Sequence, residues 1–170
     1  MFAHIIQRAL YTGLLIAFFA IKSPVYAGDK EDLVGSWIGT AVSTTTPLPP
    51  LKDLITFTPE GTVVEARRLY VANSPLGPLL ATPGHGEWKE TGKREFAATL
   101  LLIYQGAEDH PTSPGEVLAQ EKVRFKLTLD YAGNHLSGTL LVEVRDINDN
   151  LVFIGPGTYT ANRIEVEPLP

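Results

Sequence analysis

Glu65 and Arg67 are the first residues whose types and spacing could do chemistry. They lie two apart in 62–69, a run that alternates apolar and polar residues as a strand does, so both side chains share one face. If that face lines an interior, the two charges form a buried pair, a natural polar anchor for a ligand in an apolar cavity. If it lies outside, they are ordinary surface charges, which is the simpler interpretation. Because this face also carries Val63 and the other carries Val64, the pattern leaves the inward side open.

His85 is a second candidate, because it stands between Gly84 and Gly86 and follows a long apolar segment, 70–83. Glycines in a strand let a backbone or a ligand come close. The segment itself is predicted to be a loop, acting either as a lid or as a cap of one end of the fold. Alternation places His85 and Trp88 on opposite faces, so His85 faces inward only if Trp88 faces outward.

Three aromatic residues complete the candidate ligand-binding set: Tyr104, Phe125 and Tyr159. The two tyrosines could present hydroxyls to a ligand inside the fold. The alternative is that they are core residues whose hydroxyls bond to protein oxygens.

Several chemistries are excluded by composition. The chain has no cysteine, so it has no disulfide, thiol nucleophile or thiolate metal site. His110 and His135 have no second ligand at metal spacing, and we predict neither a metal nor a cofactor. No Gly-x-Ser-x-Gly motif or phosphate-binding glycine loop is present. A net charge of −5 without a basic stripe argues against nucleic acid and anionic lipid as partners.

The N-terminus is typical of a secretion signal. His4 and Arg8 precede an apolar run, 9–21, and Val25, Tyr26 and Ala27 end the segment as a cleavage site would. The run is too short to span a bilayer comfortably. We therefore predict a signal helix over 1–27, a domain over 28–170, a secreted or periplasmic location, and no stable membrane insertion after cleavage; an uncleaved anchor is the alternative.

Alternation and turn residues predict eight strands in the domain. They cover 34–44, 53–58, 62–69, 84–90, 95–105, 116–130, 136–146 and 151–164.

The sixth and seventh strands have the clearest register. A two-residue turn at Ala132 and Gly133 pairs Val123 with Val142 and Phe125 with Leu140 on one face. On the other face the same register pairs Lys122 with Glu143. A turn at 148–150 then pairs Val144 with Phe153. The inward set predicted for the eighth strand is Phe153, Gly155, Gly157, Tyr159, Ala161 and Arg163.

Eight strands joined mostly by hairpins predict an all-β fold, an eight-stranded antiparallel up-and-down β-barrel. The start of the first strand and the end of the last then lie at the same end. Trp37 and Arg163 are predicted to meet there and close the barrel, with the guanidinium on the indole face.

Gly35-Ser36-Trp37 on the first strand with Arg163 on the last resembles the calycin superfamily, in particular bacterial lipocalin-like domains. The resemblance implies a barrel that binds a small hydrophobic molecule in its interior. The chain departs from classical lipocalins in lacking a second, Thr-Asp-Tyr-like motif and a C-terminal helix.

Three functions follow as hypotheses. The first is a non-enzymatic exported barrel that binds a small hydrophobic ligand. The second is a barrel enzyme, such as a cyclase or isomerase, acting on an apolar substrate. The third is a structural domain with a filled core. Separately, the strand around Leu101 and Ile103 is apolar on both faces, which suggests a homodimer interface.

Overall fold

A computed structural model describes residues 32–68, 70–72 and 74–169. These residues form ten strands. In chain order they are β1 Gly35–Ser43, β2 Leu51–Phe57, β3 Thr62–Arg67, β4 Tyr70–Val71, β5 Leu79–Ala81, β6 Gly84–Gly92, β7 Glu95–Gly106, β8 Val117–Leu129, β9 His135–Asp146 and β10 Leu151–Arg163. The predicted signal helix over 1–27 lies outside the described residues. Within them, no helix has the length and apolar character needed to cross a membrane.

The strands form one antiparallel sheet that closes on itself. β1 pairs with β2 on one side and with β10 on the other, and the pairing of β7 with β8 completes the ring. β6 and β5 both pair with β7, one after the other, so they occupy a single position in the barrel. β3 and β4 likewise share one position, because they pair with β6 and β5. The predicted eight-stranded antiparallel barrel is confirmed.

The predicted loop over 70–83 is in part wrong. Its two ends are the short strands β4 and β5, which lengthen a hairpin towards the end of β7. Thr82 and Pro83 interrupt the strand between β5 and β6 without ending it, since the Thr82 amide still donates to the Ile103 carbonyl at 2.9 Å. Pro83 therefore marks an irregular strand position, whereas Pro75 and Pro78 lie in the connection between β4 and β5.

The register predicted for the last three strands is confirmed. Val123 pairs with Val142, Phe125 with Leu140 and Lys122 with Glu143. Phe153 pairs with Val144 as expected, while an irregularity next to Leu151 shifts that residue onto Arg145. The apolar residues of these pairs therefore lie next to one another on the inner face of β8, β9 and β10, as cross-strand pairing requires.

One end of the barrel is sealed by Trp37 and two arginines. The Arg163 guanidinium lies 4.3 Å from the Trp37 ring centroid and donates to the carbonyls of Val34 and Gly133, each at 2.8 Å. Arg94 closes the neighbouring edge by donating to the Leu129 carbonyl at 3.0 Å. The predicted meeting of Trp37 and Arg163 is confirmed, and the closure contact has the geometry of a cation–π pair.

The apolar interior falls into two clusters of side chains. The larger lies at the Trp37 end and contains Phe57, Trp88, Phe96, Leu127 and Leu136 among others. The smaller lies at the opposite end and contains Leu79, Ala81, Tyr104 and Ala119. Charged residues on the inner face separate the two clusters.

Candidate functional site

The candidate site is a buried polar cluster midway along the barrel. Its members are Asp53 on β2, Glu65 and Arg67 on β3, Tyr104 on β7, Glu121 on β8 and Tyr159 on β10. Each takes an inward position of its strand: Glu65 and Arg67 are consecutive inward residues of β3, and the inward positions next to the other four are apolar residues or glycine. Strand alternation therefore directs the six side chains into the interior.

The surface interpretation of Glu65 and Arg67 is wrong. Glu65 is only 3% exposed, and Val63 on the same face lies in the apolar core. The neighbouring strand makes room for the carboxylate through Gly84, because a Cβ there would lie 2.9 Å from Glu65 Oε2. The inward alternative left open by the sequence pattern is the one that the barrel adopts.

An ion pair between Arg67 and Glu121 crosses the interior. Arg67 Nη2 donates to Glu121 Oε1 at 2.5 Å, while its Nε lies 3.5 Å from Glu65 Oε1. The Tyr104 hydroxyl donates to the other Glu121 oxygen. Burial lowers the pKa of Arg67, but the charges of Glu121 and Glu65 more than compensate and leave it raised, so the guanidinium stays charged.

A second contact, between Tyr159 and Asp53, lies beside this ion pair. The Tyr159 hydroxyl lies 3.0 and 3.2 Å from the two carboxylate oxygens of Asp53. Gly39 makes the contact sterically feasible, because a Cβ there would lie 1.9 Å from Asp53 Oδ1 and 2.0 Å from the hydroxyl oxygen. The Phe125 ring packs edge-on against Tyr159 with centroids 5.0 Å apart.

The cluster holds three carboxylates and one permanent cation. Burial raises the pKa of Glu65 to about 7, with Arg67 offsetting only part of the increase. Burial also raises the pKa of Asp53 to about 6, although Tyr159 and Arg67 lower it. Burial likewise raises the pKa of both tyrosines, which therefore remain neutral donors. Near neutral pH, Glu65 can either hold or release a proton, which suits acid–base chemistry or the binding of a hydrogen-bond donor.

We expect the protein to lose stability as pH rises from about 5 to about 8. Asp53 and Glu65 have unfolded-state pKa values of 3.8 and 4.5 and higher folded-state values, so between these limits the folded protein binds more protons. Each pH unit then costs about 1.4 kcal/mol per proton released, which amounts to a few kcal/mol for the two groups. Urea unfolding at the two pH values measures the difference.

The substitution Glu65→Gln removes one of these titrations and should flatten the pH dependence. Glu87, which is exposed on the outer face of β6, provides the matched control, and Glu87→Gln should leave it unchanged. A free energy of unfolding that rises from pH 5 to pH 8 would contradict the raised pKa values of the two buried carboxyl groups.

The remaining candidates are placed as follows. Tyr104, Phe125 and Tyr159 are buried in the interior. Trp88 is buried and His85 is exposed, so His85 does not line the interior, as the alternation argument required. Leu101 and Ile103 are each 44% exposed on the outer face of β7, and the homodimer stays a prediction.

Sequence reasoning missed Asp53, Glu121 and His110. Glu121 could have been found, because the register that pairs Val123 with Val142 also pairs Glu121 with Val144 on the inward face. Asp53 shares its face with Ile55 and Phe57, and the same alternation indicates it. His110 gave no such signal, because its role depends on the contact between two loops.

His110 holds two segments together at the end opposite Trp37. Its Nε2 lies 2.8 Å from the Leu76 carbonyl oxygen, and its Nδ1 accepts from the Ser113 amide at 2.9 Å. Gly77 takes a positive φ of 88° and lies against the imidazole, where a Cβ would be 2.7 Å from Nε2. The Ala107 amide adds a bond to the Pro78 carbonyl at 3.0 Å. A few loop contacts, rather than strand pairing, cover this end.

The acidic residues of the cluster do not form a metal site. Across residues 32–68, 70–72 and 74–169, no three or more His, Asp or Glu side chains are arranged to hold a metal ion.

Comparison with known proteins adds little to the geometry. No protein-family model matches the chain, and no curated protein is significantly similar to it. One solved structure, a redesigned β-barrel, is 16% identical, with 81% of this chain and 96% of that chain covered and a TM-score of 0.42. A likeness this distant supports no statement about a ligand or a reaction, and the lipocalin resemblance stays a prediction.

Proposed function

We propose that the barrel binds a small, mainly apolar molecule through the end opposite Trp37. The observation that carries this proposal is the difference between the two ends. At the Trp37 end, Leu33, Trp37 and Leu136 are fully buried. Among the described residues, the partly exposed apolar residues that pack on the core are more numerous at the other end, where they are Ala41, Val71, Leu76, Leu118, Val142 and Val144, than at the Trp37 end, where Val34 is one.

Exposed apolar side chains at one mouth of a barrel are typical of a ligand entrance. The cover over this mouth is the contact between 74–78 and 107–113, which depends on His110 and a few backbone hydrogen bonds. Moving these loops breaks none of the pairing between β7 and β8, so the mouth can open while the barrel remains closed.

A neutral apolar fluorophore tests the proposal. We expect N-phenyl-naphthylamine to bind the purified barrel saturably at one site, with an increase in emission as it leaves water. Val142→Trp should block binding because this side chain points into the mouth. The matched control is Leu141→Trp on the opposite face of the same strand, which should bind as the wild type does.

Absence of saturable binding to the folded wild type, or equal binding by Val142→Trp, would reject the mouth as an entrance. Such a result would favour the third hypothesis, a structural domain with a filled core.

An acid–base enzyme acting on an apolar substrate is the second candidate. One observation favours it: the pKa of Glu65 lies near 7 in a largely apolar interior, the value that suits a general acid or base at neutral pH. Native mass spectrometry of protein purified from its own source separates the two candidates. A binding protein would release its retained molecule unchanged after incubation, whereas an enzyme would convert it.

Export is the proposed context of either activity. It is supported by the signal-like composition of residues 1–27, which lie outside the described residues.

A further inference from the structure

One oxygen of the buried Glu65 carboxylate has no hydrogen-bond partner among the described residues. Glu65 is 3% exposed, and its Oε2 lies over Gly84 and beside the Leu102 side chain. Buried polar atoms in folded proteins are nearly always hydrogen-bonded, so an exception needs an explanation. When Glu65 is ionised, its oxygens can only accept, so the partner that Oε2 lacks in that state is a donor.

The charges around Glu65 indicate which kind of donor fits. Asp53 and Glu121 both act on Glu65 with like charge, and Arg67 is the cation of the cluster. Arg67 makes its closer contact with Glu121, at 2.5 Å, and lies 3.5 Å from Glu65 on the side of Oε1. The cluster therefore holds three carboxyl groups against one cation, and a second cation would offset this excess of negative charge.

Glu65 lies close to the mouth along its strand. Arg67 lies two residues nearer the mouth on β3, about 7 Å along the strand, and its side chain is 11% exposed. An alkyl chain of octyl length spans the distance from Glu65 past Arg67. Its methylenes would lie among the partly exposed apolar residues of the mouth, including Ala41 and Val142.

We propose that the polar group of the ligand is a protonated amine that donates a hydrogen bond to Glu65 Oε2, with its hydrocarbon part pointing to the mouth. This proposal rests on the proposed function, since it specifies the chemical class of the molecule that the barrel binds. No bond is made or broken, and the amine enters as its ammonium ion.

Three ligands of equal chain length test the proposal by isothermal titration calorimetry near pH 8: octylamine, octanol and octanoate. Octylamine should bind the wild type at least about tenfold more tightly than octanol, a difference of about 1.4 kcal/mol. Octanoate should bind most weakly, because its carboxylate would join three others. The order of the three affinities shows whether the interior prefers a positive, a neutral or a negative group.

Two variants assign the preference to Glu65. Glu65→Gln keeps the shape and removes the charge, so octylamine and octanol should bind it equally. Glu87→Gln, on the outer face of β6, should keep the full preference. If Glu65→Gln does not fold, the wild type alone tests the assignment. Its preference for octylamine over octanol should be present near pH 8 and lost near pH 5, where Glu65 is protonated.

The failures of the two proposals are distinguishable. Equal binding of octylamine and octanol to the wild type, or a preference that persists in Glu65→Gln, would overturn the amine assignment and leave an apolar binding site. Failure of all three ligands and of the neutral fluorophore would overturn both.

Discussion

Trp37→Ala should destabilise the barrel by about 3–5 kcal/mol, the range for truncating a large buried aromatic residue. The Trp37 side chain is completely buried, and its indole nitrogen donates to the Leu33 carbonyl at 3.1 Å. The substitution removes core volume, and it also removes the ring against which Arg163 lies. Because β1 and β10 pair at this point, the closure of the sheet loses its principal side-chain contact. Urea unfolding followed by circular dichroism measures the loss.

Ile38→Ala is the matched control for this change. Ile38 is the next residue on the same strand, but it is exposed on the outer face. Its truncation should cost well under half as much, because little apolar surface is uncovered. Equal effects of the two substitutions would mean that the closure does not depend on the Trp37 contact.

Arg67→Leu should destabilise the protein by about 3–5 kcal/mol near pH 8, since removing one partner of a buried ion pair leaves the other charge uncompensated. Three carboxyls would then share the interior without a cation: Asp53, Glu65 and Glu121. The defect should shrink near pH 5, because carboxyl groups that bind protons no longer need the guanidinium. Unfolding free energies of variant and wild type at the two pH values test both the size and the pH dependence.

The neighbouring arginine provides the control for this experiment. Arg68 is exposed on the other face of the chain, so Arg68→Leu removes the same charge from solvent. It should change stability by less than about 1 kcal/mol, as surface charges do, and equally at both pH values. A defect of Arg67→Leu that is independent of pH would point to lost packing rather than to unpaired carboxyls.

The sequence determined the strand order and the closure more firmly than it determined the site. Strands β8 and β9 could be aligned because apolar residues and opposite charges agree on one register, through Val123 with Val142 and Lys122 with Glu143. The contact between Trp37 and Arg163 could be predicted because, in an up-and-down barrel with eight strands, the first strand begins at the end where the last strand finishes. These are local patterns, or consequences of local patterns, that the chain carries explicitly.

The orientation of β3 could not be determined in the same way. Val63 and Val64 are both apolar, and both faces of the strand pair with apolar residues of β2. What decides the inward face is the space left by Gly84 on β6 and the distant partner Glu121 on β8. The apolar–polar alternation of one strand does not reveal its contacts with strands that are distant in sequence. A strand face that carries charged residues into the interior therefore has the same sequence pattern as a face exposed to solvent. The same reason hid the contact of His110 with Leu76.

The pairing of β1 with β10 has a consequence for the behaviour of the protein at high concentration. Until these two strands meet, each presents a free edge of unpaired amides and carbonyls, which another copy could extend as an intermolecular sheet. Trp37 and Arg163 lie at the first pair of that seam and join segments from opposite ends of the domain. By holding the seam shut they also protect the chain against edge-to-edge aggregation and strand exchange between molecules.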